Sequence, residues 1–190
     1  VLHSNPDVGV VCHDEDRIQE GKIARRLRYG PTNGRHPDLY HYLLFEKNCL
    51  STSATVVRKG ILEEVGRFSE DPNFVTVEDY DLWLRLAPVT SVYFLHEALG
   101  QFRVHGASTS VTTKRNWQNM MTLLRTHLTA FETHPQANTR RRVRRRYASA
   151  WLATARGYAG MGQLNRSLAY FLKALRSSPL FWKLYPGLAL

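Results

Sequence analysis

The hydrophobic pattern changes period near residue 113. Upstream, short apolar or β-branched runs alternate with turn residues and short helical patterns. From Lys114 onward the period is helical, and Trp117, Met120, Met121, Leu124 and Leu128 share one face. Strands mixed with helices, then helices alone, predict two regions, 1–113 and 114–190. The charge divides at the same place. Residues 1–113 carry 12 Lys and Arg against 15 Asp and Glu, whereas residues 114–190 carry 14 against the single acid Glu132. The net charge of +10 therefore belongs to the second region, which is expected to meet an anionic partner.

The 190 residues suffice for a domain with an appendage, and 43% hydrophobic content supplies a core. No apolar run is long enough to span a bilayer. The chain opens on Val1-Leu2-His3, which reads as the interior of a longer protein. Cys12 and Cys49 do not make a disulfide framework and are expected as buried thiols in a reducing compartment.

Along the first region, Asn5-Pro6-Asp7 is turn chemistry. Residues 8–12 read as a buried strand of a mostly parallel sheet. Residues 14–38 read as a polar surface excursion with a turn at Pro31-Thr32-Asn33-Gly34. A helix is expected over 39–45, a strand over 48–57, and a helix over 58–65 that Gly66 closes as a left-handed cap. Thr76 is expected to cap a helix that begins near Glu78 and ends at Pro88. Strands follow at 91–95 and 98–104. In the second region a helix over 117–128 breaks at Thr133-His134-Pro135. A second helical stretch runs from about 139, with interruptions at Gly160-Met161-Gly162 and Ser178-Pro179.

Val77-Glu78-Asp79-Tyr80-Asp81-Leu82-Trp83-Leu84-Arg85-Leu86 is the segment that carries chemistry. A carboxylate at a helix N-terminus has a fixed aim, which suits a general base. Acids there also suit the helix dipole with no further role. Trp83 fits a pocket wall or the core. Arg103 and His105 alternate at a strand end and point to one side.

With Gly66-x-Phe68 before it and Gln101-Phe102-Arg103-Val104-His105-Gly106-Ala107-Ser108 after it, this segment resembles the acceptor half of the inverting family 2 glycosyltransferases. The resemblance covers about residues 4–112. It implies a GT-A fold, here an α/β mixed sheet that lacks its N-terminal nucleotide-binding half and is followed by an all-α tail. It implies Asp79 as base, with Glu78 orienting it or replacing it. Asn48, Ser51, Trp83, Arg85 and Arg103 would line the donor and acceptor side. Phe102 departs from the family's Tyr. His105 would face a divalent metal, Mg or Mn, or the diphosphate of a nucleotide-sugar donor. Asp14-Glu15-Asp16 has the family's Asp-x-Asp spelling but stands too close to Glu78, so the metal is expected mostly on residues before Val1. The acceptor would be a glycan or a lipid-linked sugar, and this chain alone is expected to be inactive.

Trp151, Ala155, Tyr158, Gly162, Ser167, Phe171, Ala174 and Pro179 resemble one tetratricopeptide unit, which implies a protein partner. Arg140, Arg141, Arg142, Arg144, Arg145 and Arg146 read as an anionic membrane-binding face, a solvated linker or, less favoured, a nucleic-acid patch. The combined expectation is a bacterial enzyme of polysaccharide synthesis, cytoplasmic and peripheral at the inner face of the membrane. The alternative is a tetratricopeptide-type interaction module on an inactive remnant.

Overall fold

The structure is a computed structural model that describes residues 1–103 and 114–181, with side chains from residue 117 in the second stretch. The chain divides into two compact units, Val1–Thr112 and Thr113–Leu190.

The first unit is a mixed α/β layer. Its elements are β1 (Val8–Gln19), β2 (Lys22–Leu27), β3 (Gly34–Arg35), α1 (Leu39–Phe45), β4 (Thr55–Val57), α2 (Lys59–Glu64), α3 (Glu78–Leu86) and β5 (Ser91–Arg103). The sheet order is β2-β1-β5-β3, and β4 pairs with β1. Among the described strands the β1–β5 pair alone is parallel, running from Val8 with Ser91 to Ile18 with Arg103 with shifts of register along it. The other three pairings are antiparallel, so the sheet is not mostly parallel. The core takes Val8, Val10 and Cys12 from β1, Val92 and Phe94 from β5, Leu43 and Leu44 from α1, and Tyr80, Leu82, Leu84 and Leu86 from α3. The Tyr80 hydroxyl donates to the Leu43 carbonyl, tying α3 to α1.

Three segments differ from the sequence pattern. Residues 14–27 are not a loop: β1 continues to Gln19 and turns back through Glu20-Gly21 into β2. Two acids can sit inside this strand because their carboxylates find partners. Asp14 accepts from the Tyr29 backbone N–H at 2.9 Å and Glu15 from the Tyr29 hydroxyl at 2.8 Å. Of the expected strand at 48–57, only 55–57 pairs as a strand; a 3₁₀ turn, Thr52–Ala54, precedes it. The two strands expected at 91–95 and 98–104 are one strand with a bulge. His13 pairs with Leu95 and Asp14 with Ala98, so His96 and Glu97 are extra residues in β5. The bulge lets the His96 backbone N–H reach Asn33 Oδ1 at 3.1 Å.

Thr76 does not cap α3. It holds φ +74°, its hydroxyl is buried without a hydrogen-bond partner, and Val77 occupies the cap position with no side-chain bond. Gly66 does close α2, at φ +78°.

The second unit consists of α4 (Lys114–Glu132), α5 (Ala137–Gly160) and α6 (Leu164–Ser177). Met121, Leu123, Leu124 and Leu128 bury one face of α4. Ala148, Leu152, Ala174 and Phe181 form a core between α5 and α6. Trp117 seats on Gly157 and lies against Tyr158, ring centroids 4.9 Å apart. Among the described residues no helix is long and apolar enough to cross a membrane.

Candidate functional site

The loop between α1 and β4 meets the N-terminus of α3. Asn48 Oδ1 accepts from the Leu50 backbone N–H at 3.1 Å and shapes the loop's entry. Ser51 Oγ lies 3.5 Å from Glu15 Oε2 and 3.0 Å from Ser53 Oγ. The adjacent Thr52 hydroxyl donates to Asp79 Oδ2 at 3.2 Å. Asp79 Oδ1 accepts from the Tyr80 backbone N–H at 2.6 Å. The loop thus links a buried carboxylate of β1 to the first turn of α3. Asn48, Ser51 and Asp79, read from the sequence as site residues, belong to one neighbourhood. Thr52, Glu15 and Tyr29 join them and were not anticipated. The Ser51-Thr52-Ser53 hydroxyl run is a local signal, but it does not by itself indicate the bond to Asp79.

Burial pushes the Asp79 carboxyl above its ordinary value. The Tyr80 N–H and the Thr52 hydroxyl pull it down, and neighbouring Glu78 pushes it up again. A raised carboxylate is a stronger base, and two fixed donors set its orientation. Glu78 Oε2 is buried without a hydrogen-bond partner. Burial likewise drives the Tyr29 phenol up to about 12; the Ser51 hydroxyl opposes this and Glu15 adds to it.

Arg85 and Trp83 are engaged in packing the first unit. Arg85 Nε and Nη2 reach Asp81 Oδ2, each at 2.9 Å. Its remaining donors hold the carbonyls of Val65, Gly66 and Arg67 at 2.6 to 2.9 Å. The fork is occupied within the unit, where it fixes the turn after α2 against α3. Trp83 is buried and meets Phe68 edge to face, centroids 6.4 Å apart.

Arg103 is exposed at the end of β5, opposite Ile18. His105 lies outside the described residues. Among the described residues no three His, Cys, Asp or Glu cluster as metal ligands. Asp14 and Glu15 are engaged by Tyr29, and Asp16 pairs with Arg26 at 3.4 Å. A cleft of about 510 Å³, lined by Asp7, His36, Asp38 and Thr90 among others, contains none of the residues singled out from the sequence.

The six arginines of α5 are not equivalent. Arg140 donates to the His134 and Pro135 carbonyls at 2.5 and 2.9 Å. Arg145 stacks over the Phe181 ring at 5.4 Å, and Arg146 is buried. Arg142 is half-buried, while Arg141, Arg144 and Arg145 are exposed.

No family model matches the chain. Over 52 residues it is 42% identical to an uncharacterized glycosyltransferase of Rickettsia typhi, and over 52 residues 38% identical to an uncharacterized glycosyltransferase of Rickettsia prowazekii. In both cases the match covers 27% of this chain and 16% of the relative.

Proposed function

We propose that the first unit is the acceptor-side part of an inverting glycosyltransferase in which Asp79 is the general base. The observation that carries this is the Asp79 carboxyl itself. It stands at a helix N-terminus, is oriented by Thr52 and the Tyr80 N–H, and is raised by burial. The short similarity to two proteins named glycosyltransferases supports the same reaction class. In this reading the acceptor hydroxyl approaches the α3 N-terminus and gives its proton to Asp79. Its oxygen then attacks the anomeric carbon of a nucleotide sugar, and the nucleotide leaves from the opposite face. Glu78 and Ser51 border the base, and Arg85 keeps the turn before α3 in place. A divalent metal would stabilise the leaving diphosphate and would take its ligands from residues other than those described. Exposed Arg141 and Arg144 support contact with an anionic membrane carrying a lipid-linked acceptor. The helices of the second unit would receive a protein partner as a tetratricopeptide unit does.

The test is Asp79→Asn in the full-length gene product, assayed for release of nucleotide from a panel of nucleotide sugars. Turnover should fall by about a hundredfold or more with donor affinity retained. Turnover within a few-fold of the unaltered protein would remove Asp79 as the base.

A further inference from the structure

Glu15 stands within β1 and is 1% exposed, an unfavourable place for a carboxylate. A buried hydrogen-bonded pair can be replaced by apolar groups of the same shape at little loss, so stability alone does not account for it. Glu15 Oε2 gathers two hydroxyls, Tyr29 at 2.8 Å and Ser51 at 3.5 Å. Burial drives the Tyr29 phenol up to about 12, so it stays protonated and donating, and the Ser51 hydroxyl also acts on it. Glu15, Tyr29 and Ser51 therefore form one cluster in which each side chain meets the other two.

The cluster holds the α1–β4 loop at the residue before Thr52. Ser51 is fixed through its backbone as well. Its carbonyl accepts from the Ala54 N–H at 3.1 Å and from the Thr55 hydroxyl at 2.7 Å. The segment that carries Tyr29 is tied to the same loop, since the Gly30 N–H donates to the Cys49 carbonyl at 3.1 Å. Thr52 follows in the chain with little burial of its own, so its aim at Asp79 depends on where Ser51 is held.

We propose that Glu15 and Tyr29 are positioning residues: their buried hydrogen bond holds Ser51, and through Ser51 it holds the Thr52 hydroxyl that orients the Asp79 carboxylate. The use of this device rests on the reading of Asp79 as the base. The link from Tyr29 to Asp79 is a property of the chain and is measured without turnover.

The test is an NMR titration of the Asp79 side-chain carboxyl in the 190-residue chain. The Tyr80 N–H and the Thr52 hydroxyl favour its ionised form, and burial and Glu78 oppose it. Glu78 is the charged neighbour in that balance and is present in every variant. Thr52→Val removes the hydroxyl and should move the Asp79 titration to higher pH, whereas Thr52→Ser should leave it in place. Tyr29→Phe leaves Thr52 and Asp79 unaltered, yet should move the titration in the same direction. In the double variant the second change should add nothing, because both act through one hydroxyl. Ser51→Ala reads the same link from the loop if Tyr29→Phe loosens the sheet. Three results would overturn the proposal: Thr52→Val leaves the titration in place, Tyr29→Phe and Ser51→Ala both leave it in place, or the Tyr29→Phe and Thr52→Val shifts sum in the double variant. The Glu15–Tyr29 bond would then be a core contact only. None of these results bears on Asp79 as the base, which the turnover of Asp79→Asn tests by itself.

Discussion

Asp79 combines a cost with a use. Its carboxyl is raised in the fold, so the protonated form is the one that folding favours. The favourable contribution is complete below the unfolded value and disappears as pH rises through the folded one. At pH 7 the ionised side chain therefore works against stability. Asp79→Asn, neutral and of the same shape, should melt at a higher temperature than the unaltered chain at pH 7. The difference should vanish below about pH 4, where both are uncharged. Calorimetric melting across that range is the measurement; an equal or lower melting temperature at pH 7 would contradict it. A stability gain with lost turnover is the pattern of a strained functional residue. Cys12 and Cys49 show the same effect without the use. Both thiols are buried and pushed up by burial, Cys49 to about 12, which leaves them poor nucleophiles.

At the scale of elements, what the sequence revealed follows local chemistry. The helix 78–86 was legible because its first-turn acids, its apolar residues and a stop at Pro88 are all local, even though the expected cap at Thr76 is not made. The far half of β1 was not, because Asp14, Glu15 and Asp16 read as surface. Tyr29, brought back by the chain after β2, with Arg28 beside Asp14 and Ser51 beside Glu15, makes buried carboxylates tolerable. His96-Glu97 looked like a boundary and is a bulge, since a polar pair in a strand has that appearance either way. At the site, Asp79 was legible by type and position. Thr52 was not, because its bond to Asp79 spans 27 residues of sequence and exists only in the tertiary structure. The helix pair of the second unit offers a sharper test. A Cβ on Gly157 would stand 1.8 Å from the Trp117 ring. Gly157→Ala gains about 1 kcal/mol of helix propensity, but overpacking costs roughly 1–3 kcal/mol. The clash should win, lowering the melting temperature of the second unit by roughly 5 °C. The double variant Gly157→Ala, Trp117→Leu should recover part of it. A stabilised single variant would mean that Trp117 does not sit there.

For the molecule as a whole, the positive charge of the second unit is less available than a count of arginines suggests. Arg140 is engaged by carbonyls and Arg146 is buried, which leaves Arg141, Arg144 and Arg145 as the exposed members of the run, Arg145 lying over the Phe181 ring. Near an anionic membrane each contributes roughly 1 kcal/mol, within a Debye length. Arg141→Ser with Arg144→Ser should weaken sedimentation with phosphatidylserine vesicles by about tenfold or more. Added salt should do the same to the unaltered chain. Equal partitioning of the two proteins would assign the run to the helix pair alone.

The pairing of β1 with β5 has a consequence in time. The two longest strands of the sheet lie side by side in parallel, yet one begins at Val8 and the other at Ser91. Every residue between them must be made before the central ladder can close, and closing so large a loop is slow. The β1–β2 hairpin, joined through two residues, can form early, but it shows an open edge until β5 arrives. The helices of the second unit make mostly local contacts and need no such wait. During synthesis the chain therefore passes through an interval in which an apolar strand is exposed, and that interval is when a chaperone would matter most to it.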